Sequence, residues 1–114
     1  MIGGATMETE LAGWTAQEEQ VARRVFEQAV SREVEALIET LRQEAAALHG
    51  PEKVWQFHDF LSIRRHQIEG RGEFCLDGLL FVLADLVKAG LASLEELDGL
   101  ADDKRAKIQA MARF

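Results

Sequence analysis

Two histidines, an aspartate and two arginines crowd the middle of this chain, at His58-Asp59 and Arg64-Arg65-His66, and a lone cysteine follows at Cys75. Metal binding is the first chemistry to test. Two imidazoles on a helix meet one ion at i, i+4 spacing, whereas His58 and His66 are eight apart and no third histidine completes a set. An adjacent His-Asp pair also occurs in metal-dependent phosphohydrolases, but those need histidines on other helices, and here only His49 remains. Cys75 could be a nucleophile only with an activating base. It stands at the start of the most apolar stretch, where a buried, inert thiol is expected. Gly70-Arg71-Gly72 is a turn and not a phosphate-binding loop. We therefore expect no enzyme, no metal and no cofactor.

What the central residues do suggest is an interface. Wound as a helix, Val54, Phe57, Leu61 and Ile68 fall on one stripe with Phe60 on its flank. Trp55, Asp59, Ser62 and His66 form a second line, at least a third of a turn away. A helix that buries one apolar face needs no tryptophan on another. Arg65 borders the apolar stripe, a place where a permanent charge needs a carboxylate or a partner. Asp59 and Arg65 lie about 120° apart and cannot bridge each other within the helix. Trp55 can also be read as a partly buried packing residue, but the polar character of Asp59, Ser62 and His66 beside it favours an interface.

The elements that would carry these residues are helical. The 114 residues suffice for one domain, include one proline and no tyrosine, and are rich in Ala, Leu and Glu, which favours an all-α fold. The net charge of −7 argues against a nucleic-acid binder. It is uneven: residues 51–72 carry four basic and three acidic groups, while both flanks are acidic, so an acidic partner would be steered to the centre. A helix-turn-helix over Leu86–Leu91 and the helix that follows has too few basic residues after its turn for DNA. No run reaches the length of a membrane span and no secretory signal opens the chain. With one cysteine, a soluble cytoplasmic protein without disulfides or membrane insertion is expected.

In order, residues 1–13 contain Gly3-Gly4 and Gly13 and read as a flexible lead-in. Trp14 is expected to fold back on the helices. Thr15 with Glu18 forms a capping box, and a helix should run to about Leu48, with Val21, Val25, Phe26, Val30, Val34, Leu37, Ile38 and Leu41 in helical period. At about 1.5 Å per residue this helix is about 50 Å long, against an expected radius of gyration of about 13 Å. Its own chain cannot cover all of that stripe, so self-association is expected, although a long hairpin with the next helix would cover part of it. His49-Gly50-Pro51 turns the chain into the central helix, which should end near Glu69. A very apolar third helix is expected from about Phe74 to Ala89, ended by Gly90. Ser93 and Glu96 cap a short helix, and Asp102-Asp103 start a last one reaching Arg113, on which Lys104, Arg105 and Lys107 read most simply as a solvated face, though they could dock an acidic partner. The expected architecture is a long N-terminal helical stalk, about residues 15–70, that forms a dimer, with a compact helical head, about 73–114.

The stretch from Trp55 to Gly70 resembles the fluorescence recovery proteins of cyanobacteria. That family carries Trp-x-x-His-Asp-Phe-Leu-Ser-x-x-Arg-His-x-Ile-Asp-Gly, which this chain matches apart from Glu69. The likeness continues through Leu80-Phe81-Val82, Leu86–Leu91, Glu95-Glu96-Leu97 and Asp103–Ile108, and upstream at Trp14, Phe26, Ala29 and Arg32-Glu33, so it spans residues 14–114. The resemblance implies an all-helical homodimer, not an enzyme, that binds the C-terminal domain of photoactivated orange carotenoid protein. Binding would speed that protein's return from red to orange and end phycobilisome quenching. By position it implies Trp55, His58 and Asp59 at the dimer interface, and Arg65, Phe81 and Lys107 as partner-binding. The chain departs from the family after Gly70, where Arg71-Gly72-Glu73-Phe74-Cys75 replaces the usual Lys-Tyr-Asp-x-Arg, and at Val30, where tyrosine is usual. That leaves open a relative from a bacterium without phycobilisomes, a dimeric adaptor for a different protein partner.

Overall fold

A computed structural model describes residues 13–114. The lead-in expected over residues 1–13 lies, but for Gly13, outside the described residues. Within them the chain is all-helical: α1 Ala16–Ala46, α2 Gly50–Arg71, α3 Leu79–Lys88, a 3-10 turn at Glu95–Leu97, and α4 Asp102–Ala112. No described helix is long and apolar enough to cross a membrane. The chain forms two compact units. One joins the residues up to Arg32 with Phe74–Phe114, and the other is Glu33–Glu73.

The first unit holds the core. Val25, Phe26 and Ala29 of α1 are buried with Leu79, Leu83, Ala84 and Leu86 of α3, Leu97 and Leu100 of the following turns, and Ile108 of α4. Trp14 joins them, as expected. The capping box at the start of α1 forms as the sequence implies: Thr15 N–H donates to Glu18 Oε1 at 3.0 Å and Glu18 N–H to Thr15 Oγ1 at 3.1 Å. The Glu18 carboxylate does more than cap. It is only 6% exposed and also accepts the Ala101 N–H at 2.8 Å and the Lys104 ammonium at 2.9 Å. Ala101 precedes the first residue of α4, so one carboxylate joins the starts of two helices.

Helix α3 begins five residues later than the apolar run predicts. Gly78 adopts φ +70°, a left-handed conformation that halts any helix entering from Phe74. Phe74 instead packs edge-on against Phe26, with ring centroids 5.7 Å apart, beneath the Arg23 guanidinium at 4.3 Å. Cys75, expected inside a helix and buried, is exposed in this turn. The end of α3 is a Schellman turn: Leu91 N–H reaches Leu86 O at 2.9 Å and Gly90 N–H reaches Val87 O at 3.0 Å. Ser93 and Glu96 form the second box, with Ser93 N–H donating to Glu96 Oε1 at 2.9 Å. Arg32 grips both oxygens of Glu96 at 2.8 Å and the Leu91 carbonyl at 2.9 Å. Lys104 and Arg105 leave the solvated face expected of them, since Lys104 is drawn inward to Glu18 and stands 4.9 Å from the Trp14 ring and Arg105 is half-buried. Gly99, at φ +112°, is a backbone position strained for other residues, and a Cβ there would press on Val21 Cγ2 at 3.0 Å.

Burial opposes ionisation of Glu18, but the N–H groups of Thr15 and Ala101 and the Lys104 ammonium outweigh it and bring its pKa from 4.5 to about 2. A lowered folded-state pKa gives stability that is complete above about pH 4.5 and is lost as pH falls towards 2. Glu18→Gln should therefore lower the stability of the protein by about 2 kcal/mol at pH 7, and the gap should shrink as pH falls from 4.5 towards 2. Chemical denaturation across that pH range reads both. Equal stability at pH 7 would show that Glu18 does not join the two helix starts.

Candidate protein-interaction surface

The second unit is an antiparallel pair made by the C-terminal part of α1 and all of α2. Gly50 at φ +73° and Pro51 at the first turn set the reversal, as a short connection between helices requires. The residues of α2 that turn towards α1 are Phe57, Phe60, Arg64, Ile68 and Arg71, spaced 3, 4, 4 and 3 apart, which is one face of a helix. Phe60 and Arg64 line one cleft with Ala36, Leu37 and Thr40, and Phe57 and Phe60 line another with Glu44, Ala47 and Leu48.

No residue of α2 is buried. The deepest group of the unit is a carboxylate: Glu33 is 4% exposed, paired with Arg71 and 3.9 Å from Arg64 Nη2. Val34 and Ile38 of α1 and Val54, Trp55, Leu61 and Ile63 of α2 remain exposed. Val34 and Ile38 lie roughly 85–125° round α1 from its contact face, and Leu61 and Val54 roughly 60–80° round α2 in the same rotational sense. In an antiparallel pair equal rotations lead to the same side. The four side chains therefore make one apolar face, and His58 and Arg65 share it. Trp55, 64% exposed, points away from α1, and Ile63 lies on the opposite side.

The residues singled out from the sequence separate into two groups. Trp55, His58, Asp59 and Arg65 share α2, all exposed. Asp59 pairs with its neighbour His58, Oδ1 to Nδ1 at 3.4 Å, and Arg65 Nε donates to Glu69 Oε1 at 2.7 Å. Asp59 and Arg65 do not meet, as their angular separation requires. The Glu69 carboxylate raises the pKa of Arg65 and keeps it charged. Phe81 and Lys107 belong to the first unit, on α3 and α4. Phe81 is 68% exposed and borders a cleft of about 380 Å³ with Trp14 and Leu76–Leu80, whose lining does not include Lys107. No group of His, Cys, Asp and Glu suited to a metal ion occurs among the described residues.

Glu33 and Glu18 were not legible as buried groups. For Glu33 a signal exists: Ala29, Glu33 and Leu37 succeed one another at four-residue intervals, which puts a carboxylate in an apolar stripe. Glu33→Gln should destabilise the second unit by about 3 kcal/mol by leaving Arg71 unpaired, while Glu33→Leu with Arg71→Met should recover most of that loss. Hydrogen exchange of the α2 amides measures it, and a double variant as unstable as the single one would refute the pairing.

A family profile described as "Photoprotection regulator fluorescence recovery protein" matches residues 14–112. The fluorescence recovery protein of Synechocystis sp. is 39% identical over 108 residues, covering 95% of this chain and 99% of that protein. The structures of the fluorescence recovery proteins of Fremyella diplosiphon and Synechocystis sp. PCC 6803 each match with a TM-score of 0.83 at 40% identity, covering 89% of this chain and 99% of theirs.

Proposed function

The chain belongs to the fluorescence recovery protein family of non-enzymatic photoprotection regulators, and on that footing we propose that it acts as a homodimer on photoactivated orange carotenoid protein. It binds the C-terminal domain of that protein in the cytoplasm, speeds the red-to-orange return and so ends phycobilisome quenching. The observation that carries this reading is α2, a 22-residue helix with no buried residue and an apolar face left open beside Arg65.

Magnitudes favour self-association. Val34, Ile38, Val54 and Leu61 are each roughly two-fifths exposed, so covering each contributes about 1–1.5 kcal/mol. Four from each protomer give roughly 10 kcal/mol, comparable with the 4–15 kcal/mol lost on association. Trp55, with the largest exposed area on α2, supplies the margin. In this reading Trp55, His58 and Asp59 lie at the dimer interface, where Asp59 exchanges His58 for a partner across the two-fold axis. Arg65, Phe81 and Lys107 contact the carotenoid protein. The dimer accelerates relaxation by binding the route back more tightly than the red ground state.

A second reading, a dimeric adaptor for a different protein partner, rests on residues 71–75. Arg71 pairs with Glu33 and Phe74 packs on Phe26, while Gly72 and Cys75 stand where the family usually carries tyrosine and arginine.

Dark recovery of photoactivated orange carotenoid protein, followed by absorbance, should accelerate with substoichiometric amounts of this protein. No acceleration by a folded dimer would favour the second reading. Asp59→Leu should shift the solution mass towards monomer, and an unchanged dimer would remove Asp59 from the interface. Arg65→Leu should abolish the acceleration while helicity and mass stay unchanged. Loss of fold along with activity would make Arg65 structural.

A further inference from the structure

Glu33 is one carboxylate between two arginines. Arg71 holds its Oε1, and Arg64 Nη2 stands 3.9 Å from its Oε2, too far for a hydrogen bond. The cluster therefore carries one positive charge in excess. Arg71 is the deeper cation, its side chain 19% exposed against 33% for Arg64, so the excess meets solvent at Arg64. Among the described residues the Arg64 guanidinium makes one hydrogen bond, from Nη1 to the neutral amide oxygen of Gln67 at 2.8 Å. Arg65 differs, because Glu69 matches its charge.

Arg64 lines a cleft of about 310 Å³ with Ala36, Leu37, Thr40 and Phe60. None of those four residues carries a charge. The Thr40 hydroxyl donates to the Ala36 carbonyl at 3.0 Å, so Arg64 supplies the donors of the cleft. Glu44 borders the neighbouring cleft beyond Phe60, where Lys53 balances it. The volume is at the lower end of the ~300–1,000 Å³ typical of ligand sites and suits one inserted side chain. Leu37 and Phe60 offer an apolar wall for methylene groups, Ala36 leaves room, and the guanidinium presents a fork that matches a carboxylate. Taken from Leu37, Ala36 and Thr40 lie roughly 60–100° round α1 in one sense and Val34 and Ile38 roughly 60–100° in the other. Covering the apolar face thus leaves the cleft open. We propose that it receives a glutamate or aspartate side chain of the protein partner, with Arg64 as its anchor. The inference rests on the proposed function in that it takes the partner to be a protein, and it adds a contact beyond Arg65, Phe81 and Lys107.

Binding to photoactivated orange carotenoid protein tests it. Arg64→Gln should weaken binding at least ~10-fold, the size of a charge-assisted hydrogen bond, and flatten its salt dependence. Arg64→Lys should restore part of both. Should Arg64→Gln unfold α2, the exposed Ala36 decides. Ala36→Glu offers Arg64 a carboxylate from its own chain and should weaken binding by a similar factor, well beyond the effect of Ala36→Gln. Undiminished binding by Arg64→Gln or Ala36→Glu would overturn the assignment and leave the proposed function intact. Equal losses for Ala36→Glu and Ala36→Gln would show that bulk matters rather than charge, and would overturn the Arg64 anchor. A solution mass above that of a dimer, lowered by Arg64→Gln, would mean that a second copy supplies the carboxylate and would overturn the assignment to the partner. If the unaltered protein does not bind the carotenoid protein, that function fails separately. The cleft is then judged by the Arg64 Nε–H resonance during titration with an acetylated tetraglutamate peptide. A saturable shift, absent with a tetraglutamine peptide, supports it, and no shift overturns it.

Discussion

The Glu18 carboxylate sits where the chain would otherwise have three separate problems. Helix α1 needs its first N–H groups satisfied, α4 needs an acceptor for the N–H that precedes it, and Lys104 needs a counter-charge once it is drawn beside Trp14. A single buried carboxylate answers all three. Desolvation alone would favour its neutral form, and only the convergence of several donors keeps it charged. The core of the first unit can therefore close around Trp14, Leu97, Leu100 and Ile108 without leaving polar groups stranded. Arg32 with Glu96 acts in the same way at the other side of the unit, where it also holds the carbonyl beyond the end of α3.

The second unit is built on the opposite principle. Two helices alone cannot enclose an apolar centre, so its one deeply buried group is the Glu33 carboxylate, fixed by arginines of α2. Such a pair gives register more than stability, and it leaves the hydrophobic side chains of both helices on the outside. That division of labour suits a regulator that works through contact: one unit has a finished core, and the other presents what the core of a larger assembly would use.

Much of this was legible in the chain because the signals are local. The boxes Thr15–Glu18 and Ser93–Glu96, the reversal at Gly50-Pro51 and the stop at Gly90 each involve residues within a few positions. The openness of α2 was legible too, since Trp55 and Arg65 sit off the stripe that a single helical neighbour can cover. The apolar run from Phe74 misled because periodicity does not distinguish a helix from a turn whose phenylalanine packs on a distant ring, and Gly78 decides between them. Lys104 read as part of a solvated face because the group that draws it inward is remote in sequence, Glu18 being 86 residues away.

The turn that delays α3 leaves the protein's single thiol, Cys75, in the open. A chain with one thiol, and that one accessible, carries a built-in attachment point, so a fluorophore or spin label can be placed at one defined position without altering any residue. In a two-fold assembly the label would appear twice, related by symmetry, and the separation of the two probes would be a direct ruler for how the copies are arranged.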